Sequence, residues 1–273
     1  MELDLLLDIG NTRSKWLTTK SNIESPLTIE HSGVINNHDL IEQIQLQFAF
    51  LNESQQGAFI KSIYCSCVGQ INFLNAWQAH FPSAKLHQLT SEIIIPGFEN
   101  GYQRPSELGT DRLAGMLGAI NLFPLKNILV IAAGTATTID YLRQGSQFKG
   151  GWIMPGLDLM LKSLGKSTAN LPTLVAHEMP MISTNHLGIQ FIPLGTSTKD
   201  AIEMGACLAT IGAIQQAIKQ LNDLDLVLMT GGNALILDAY LRPDAKAVSF
   251  IQEPNLILLG INEWRLHQKE SKN

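Results

Sequence analysis

Two stretches of this sequence share one outline, and that repetition constrains the fold more than any other feature. LLLDIGNTRSKWL, at 5–17, is an apolar run that ends in Asp8, meets a glycine turn with small polar residues, and returns as a second strand. NILVIAAGTATTIDYL, at 127–142, has the same order of parts. Gly134 follows Gly10 by 124 positions, close to half of the 273 residues. Two copies are too few for a solenoid, which needs several stacked repeats to bury its core. They imply a duplicated α/β unit, two domains that each open on a hairpin. The boundary is placed near residue 122, giving 1–122 and 123–273, with the last helix allowed to pack back on the first domain.

The segments between the hairpins alternate as such a unit requires. Asp39–Leu51 predicts a helix, Ser62–Val68 a short buried strand, Phe73–His80 a helix stopped before Pro82, and Lys85–Thr90 another strand. Leu113, Met116, Leu117 and Ile120 follow the spacing of an amphipathic helix that starts near Thr110 or Asp111. In the second half GGWIMPG reads as a strand running into a glycine turn, followed by a helix over Leu157–Leu164 and a loop-rich stretch from Pro172 to Leu194. A long helix over Thr198–Leu221 is expected to line one side with Ala201, Ile202, Gly205, Leu208, Ile211, Ile214 and Ile218. The strand Leu224–Met229 then ends in Thr230-Gly231-Gly232, and a last helix begins near Leu258.

Composition narrows the class of function. The net charge is −5 and no run of Lys or Arg stands out, so direct nucleic-acid binding is not expected. No apolar run reads as a membrane span, and Glu2 and Asp4 stand where a signal peptide would carry positive charge, so the expected compartment is the cytoplasm. Cys65, Cys67 and Cys207 are too few and too unevenly placed for a disulfide framework. Cys65 and Cys67, two apart on a strand, are expected on one face as small buried hydrophobes rather than zinc ligands. LGKST at 164–168 lacks the leading glycine of a phosphate-binding loop, because position 160 is Met.

The glycine turns are where chemistry is expected. A tight Gly-Asn-Thr turn can present backbone N–H groups and a hydroxyl to phosphate oxygens. Asp8 at the strand end suits Mg²⁺, a hard cation that takes carboxylate oxygen, and Lys15 or Arg13 can neutralise phosphate. Gly134, Thr135 and Thr137 offer similar groups from the second turn. The plainer reading of the first stretch is an ordinary hairpin with a Gly-Asn turn. Asp111 has two readings as well: a helix-dipole partner, or a general base that takes a proton from a substrate hydroxyl. Arg112 reads as an anion ligand or a surface ion pair. Thr198 reads as a ligand contact or a helix cap beside Ser197 and Asp200, and Tyr102 as a packing or a ligand residue.

Taken together, DIGNTRSK, NGYQRPSELGTDRLAGMLGA, AGTATTID, GGWIMPGLDLM, LGTSTKDAIEMGA and MTGGNA resemble, in order, the motifs of type III pantothenate kinases, also labelled Bvg accessory factors. That family lies in the acetate and sugar kinase/Hsp70/actin superfamily. The resemblance implies two ribonuclease-H-like (actin-like ATPase) domains with ATP in the cleft between them. It implies transfer of the γ-phosphoryl group to the hydroxyl of pantothenate, the first step of coenzyme A synthesis, by a homodimer. Asp8, Gly10, Asn11, Thr12 and Lys15 fall on the phosphate-binding hairpin, with Mg²⁺ at Asp8, and Thr135 on an ATP contact. Asp111 falls on the catalytic base. Tyr102, Gly109, Thr110, Arg112 and Thr198 fall on the pantothenate site. One position departs: where the family carries an Asp that binds K⁺ or NH₄⁺ this chain has Ala132, whose methyl is no ion ligand, so weakened or altered cation dependence is expected. Asp140, on the neighbouring strand, is the candidate substitute. Two other functions stay open: a kinase of another small alcohol, and a nucleotide-binding regulator of a transcription factor.

Overall fold

The computed structural model describes residues 1–22, 27–49, 51, 57–167, 183–184, 190–191, 194–241 and 248–270. In chain order its regular elements are β1 (Glu2–Ile9), β2 (Arg13–Lys20), β3 (His31–Asn36), α1 (Leu40–Gln47), β4 (Phe59–Cys67), α2 (Ile71–His80), β5 (Lys85–Gln88), β6 (Glu99–Asn100) and α3 (Thr110–Leu122). There follow β7 (Ile128–Ala133), β8 (Ala136–Arg143), β9 (Gln147–Pro155), α4 (Leu157–Ser167), β10 (Ser183–Thr184), β11 (Gln190–Phe191) and α5 (Thr198–Gln220). The chain ends with β12 (Leu226–Thr230), α6 (Ala234–Leu241), β13 (Ser249–Gln252) and α7 (Leu256–Glu270). It divides into two compact units, Met1–Leu122 with Asn255–Asn273, and Phe123–Pro254.

The first unit is built on a sheet of order β3-β2-β1-β4-β5. β1 and β2 pair antiparallel, as do β2 and β3, whereas β1–β4 and β4–β5 are parallel. In the second unit β9-β8-β7-β12-β13 repeats that order and those directions, with β7–β8 and β8–β9 antiparallel and β7–β12 and β12–β13 parallel. This is the duplicated α/β architecture that the repeated outline implied. The central strands read as nearly unbroken apolar runs because sheets of this kind are buried on both faces.

Each unit has its own core. Leu3, Leu5, Leu7, Ile9, Ile63 and Cys65 pack with an aromatic cluster of Trp16, Phe48, Trp77 and Phe81 in the first. Cys65 and Cys67 do share a side, and burial pushes the Cys65 thiol up to about 12, which leaves it inert as a nucleophile. A polar anchor crosses the same unit. Arg265 and Lys269 of α7 donate to Asp4 Oδ2 at 2.8 and 2.7 Å, and Ser21 Oγ donates to Asp4 Oδ1 at 2.7 Å. Burial works against this carboxylate, yet the hydrogen bonds of Lys269, Ser21 and Arg265 and the Lys269 charge hold its pKa below the ordinary carboxylate value.

Several expectations need correction. β3, β13 and α6 are strands and a helix that local periodicity does not announce, and β4 begins three residues before the expected strand. LGKS continues α4 and forms no phosphate loop. The loop-rich stretch from 172 lies outside the described residues except for the β10–β11 pair and Leu194. Long helix α5 exists, but its buried face is Met204, Ala206, Cys207, Ile211, Ile214 and Ala217, while Leu208 is 58% exposed. By length and composition alone α5 could cross a membrane, contrary to the expectation that no run could. Its buried face belongs to the second unit's core, and the core helix of a globular protein passes the same test.

Candidate active site

The first glycine turn is closed by its own backbone. Gly10 N–H donates to Arg13 O at 3.1 Å, so that group is engaged within the hairpin and not aimed at a phosphate. Gly134 N–H is engaged in the same way on Ala136 O at 3.0 Å. Neither glycine, nor Asn11, takes a positive φ, so the first turn is not the two-residue Gly-Asn hairpin of the plainer reading. Asn11, Thr12 and Thr135 are exposed at the turns.

Register determines what stands behind the first turn. Asp8 is paired with Lys15 on β2 and with Ser66 on β4, so one row of side chains crosses three strands on a common face. Ser66 is buried, and its Oγ lies 2.9 Å from Thr110 Oγ1, which brings the start of α3 to that row. Burial, and next the charge of Asp111, push the pKa of Asp8 up to about 7 against the opposing pull of Lys15. Asp8 and Asp111, expected on separate motifs, are therefore electrostatic neighbours within the first unit.

The other residues of α3 are held in place locally. Asp111 Oδ1 accepts the Arg112 backbone N–H at 2.8 Å, at a helix start whose dipole favours a carboxylate. Gly109 precedes it and accepts from Leu113 N–H. Arg112 is only 6% exposed, which rules out the surface ion pair considered for it. Its Nη1 donates to the Tyr102 hydroxyl at 2.6 Å, and its guanidinium lies 5.4 Å from that ring's centroid. Tyr102 is fixed in turn by Asn100, whose Oδ1 accepts the Tyr102 N–H.

In the second unit the turn is crowded from both sides. Gly156 N–H donates to Thr135 O at 3.0 Å, and a Cβ on Gly156 would fall onto the Gly134 carbonyl. Asn233 N–H reaches Ala133 O at 3.0 Å just after Gly231, whose φ of 98° suits glycine. Thr137 is buried rather than offered to a ligand. Ala132 is paired with Thr138, which makes Asp140 its diagonal neighbour on the same face, two pairs deeper in the sheet and 1% exposed. Thr198 is the exposed first residue of α5, and the cap is Ser197, whose Oγ accepts Asp200 N–H. Thr198 borders an apolar groove of about 590 Å³ between α4 and α5, lined also by Pro155, Leu159, Met160, Ala201 and Ile202. Sequence reasoning missed Ser66, Ser14 and Asn37 behind the first turn; no motif marks them, because their roles arise from strand register.

Comparison with known proteins gives a consistent picture. The type III pantothenate kinase family model matches residues 4–220. A type III pantothenate kinase of Pseudoalteromonas translucida is 33% identical over 96% of this chain and 96% of its own. That of Cupriavidus pinatubonensis is 32% identical over 94% and 96%. Among solved structures, a conserved Baf family protein of Campylobacter jejuni aligns with a TM-score of 0.57 at 20% identity, covering 98% of this chain and all of that one. The activator of 2-hydroxyisocaproyl-CoA dehydratase from Clostridium difficile, solved with bound ADPNP, aligns at 0.55 and 16% identity, covering 99% and 97%. At such identities these two show a shared fold.

Proposed function

The chain belongs to the type III pantothenate kinase family, and on that premise we propose that its two glycine turns and the start of α3 carry the ATP-dependent phosphorylation of pantothenate to 4′-phosphopantothenate, which opens coenzyme A synthesis. The observation that carries this assignment of residues is the Asp8–Asp111 pair: two carboxylates from distant motifs, close enough for one to raise the pKa of the other. Phosphoryl transfer asks a protein mainly for positioning and charge neutralisation, and a site with one acid for a metal and one for a proton suits it.

In this reading Asp111 accepts the proton of the pantothenate hydroxyl. Arg112, pinned by Tyr102, directs its remaining N–H groups at the anionic acceptor or the transferring phosphoryl. Gly109 and Thr110 shape the acceptor's bed, and Thr198 contributes its hydroxyl from the edge of the apolar groove. Asn11, Thr12 and Lys15 meet the phosphates from the first turn and Thr135 from the second, while Gly10 and Gly134, their N–H groups engaged within the hairpins, shape the two turns. Asp8 fits Mg²⁺, because a divalent cation relieves a carboxylate otherwise held towards its neutral form. Among the described residues no group of three or more His, Cys, Asp or Glu could hold a metal, so Mg²⁺ at Asp8 would complete its shell with water and phosphate oxygen. Bound there, the ion supplies charge neutralisation along the triphosphate.

Ala132 supplies no oxygen from its side chain for K⁺ or NH₄⁺, and Asp140 is buried two pairs deeper, so the cation dependence is weakened or altered. The protein works in the cytoplasm as a homodimer; exposed Leu159, Leu164 and Leu208 on α4 and α5 support an apolar contact surface, and light scattering in solution tests it. The function is tested by ADP release from ATP and Mg²⁺ with and without pantothenate, in KCl, NH₄Cl and NaCl, beside Asp111→Asn. Pantothenate-dependent turnover that collapses in the variant is expected. Nucleotide binding without turnover in any salt would favour the regulatory alternative.

A further inference from the structure

Asn37 stands outside every recognised motif, yet both its backbone and its side chain hydrogen-bond to the first turn. It follows β3 in a short 3₁₀ turn whose cap is Asn36, with Asn36 Oδ1 accepting His38 N–H. Its side chain is 7% exposed. Its backbone N–H donates to Thr12 O at 3.0 Å, and its Nδ2 donates to Gly10 O at 2.9 Å. Its Oδ1 accepts from Ser14 Oγ at 2.7 Å, and because the Gly10 carbonyl can only accept, the Nδ2 end of the amide is the one that faces it. Across the turn, the N–H groups of Val68 and Gly69 both reach Ile9 O at 3.0 Å.

These bonds have a directional consequence. In a trans peptide the C=O and the following N–H point opposite ways in one plane. A Gly10 carbonyl held towards Asn37 turns the Asn11 N–H away from Asn37. A Thr12 carbonyl held the same way turns the Arg13 N–H away too. The second unit keeps half of this arrangement: Gly156, which follows β9 as Asn37 follows β3, donates its N–H to Thr135 O but has no side chain to reach further. The amide brace therefore belongs to the turn that also carries the Asp8 carboxylate. Next to that negative charge, donors to a polyanion must be held outward to be effective.

We infer that Asn37 is a positioning residue for nucleotide phosphate, acting through the Gly10 and Thr12 carbonyls to aim the donors of the first turn. This rests on the kinase reading for the identity of the ligand, a nucleoside triphosphate. Asn37→Asp keeps the size and the acceptor but removes the Nδ2 donor; Asn37→Ala removes both; Ser14→Ala frees the amide to rotate. The experiment measures the Kd for ATP with Mg²⁺ by calorimetry, KM for ATP and for pantothenate, and Tm. Loss of one buried hydrogen bond predicts about a tenfold rise in Kd and KM for ATP in both Asn37 variants and about threefold in Ser14→Ala, with KM for pantothenate within about twofold. Folded variants with a lowered Tm but unchanged ATP constants would make Asn37 a scaffold residue and overturn the inference. Where the Asn37 variants do not fold, Ser14→Ala decides: a rise in Kd supports the brace and an unchanged Kd overturns it. A wild-type protein that binds ATP without pantothenate turnover sinks the kinase reading, while its Kd against the variants still decides the brace.

Discussion

The two hairpins are the same frame with different chemistry. Both place a turn between antiparallel strands, and in both a parallel neighbour ends beside the turn and the residue after a third strand donates its N–H to the turn. The first strand, β1, carries Asp4 near its start and Asp8 near its end; the second, β7, reads ILVIAA and carries no charge. The first turn is braced by an amide side chain, and the second by the close approach of Gly156. The backbone pattern was kept because ladder hydrogen bonds do not depend on side-chain identity. The charged residues concentrate in the first copy, where each needs a dedicated partner: Asp4 has Arg265 and Lys269, and Asp8 has Lys15.

That contrast can be broken most severely at Asp8. Asp8→Asn is expected to lower turnover by about a thousandfold or more, since it removes the charge proposed to hold Mg²⁺, while stability moves the other way. The folded pKa of Asp8 is raised from 3.8 to about 7, so the folded state binds more protons than the unfolded one between those values, and stability falls as pH rises through that window. Melting in metal-free buffer should therefore show Asp8→Asn above the wild type at pH 8, by about 3 °C, with the gap closing towards pH 4. A wild type as stable as the variant at pH 8 would show that Asp8 carries no such strain.

The buried Asp4 of β1 should behave oppositely. Asp4→Asn is expected to destabilise by about 3 kcal/mol, because Arg265 is left buried without its carboxylate. The folded pKa of Asp4 is lowered, so its contribution is present above 3.8 and is lost as pH falls through the folded value. Denaturant midpoints of the two proteins should differ by a constant amount from pH 5 to 8 and converge in stronger acid.

In the second copy the sensitive position is a glycine. Gly156→Ala should destabilise by about 2 kcal/mol and weaken ATP binding, since its Cβ has only backbone to displace. Unchanged melting and ATP affinity would mean that the second turn yields where the first does not. The mildest change adds a charge: Ala132→Asp should raise the ratio of rates in KCl and NaCl by about threefold, if the second copy lacks only a carboxylate for cation binding. An unaltered ratio would locate the departure elsewhere in that turn.

Much of this molecule was legible from short-range signals. The outline shared by residues 5–17 and 127–142 implied a duplicated architecture, and the spacing of Leu113, Met116, Leu117 and Ile120 placed α3 with its start near Thr110 or Asp111, where Thr110 is the first helical residue. The apolar side expected of α5 is only in part its buried one, with Ile211 and Ile214 in the core and Leu208 exposed, because that helix is apolar nearly all round and only its neighbours choose a face. β3 was missed for a related reason: HSGVIN alternates weakly, and its pairing with β2 supplies what its sequence does not.

By itself, then, the sequence determined the strand–turn–strand pattern, the start of α3, and the contrast between a first turn with Asp8 and a second with Ala132. These follow from local periodicity and turn chemistry, which act over a few residues. Only the tertiary structure decided that Lys15, Asp8 and Ser66 form one row, that Asn37 grips the first turn, and that α7 returns to the first unit to neutralise Asp4. Those contacts join residues far apart in the chain. Their existence depends on which strands pair and in what register, a property of the whole core and not of any short stretch.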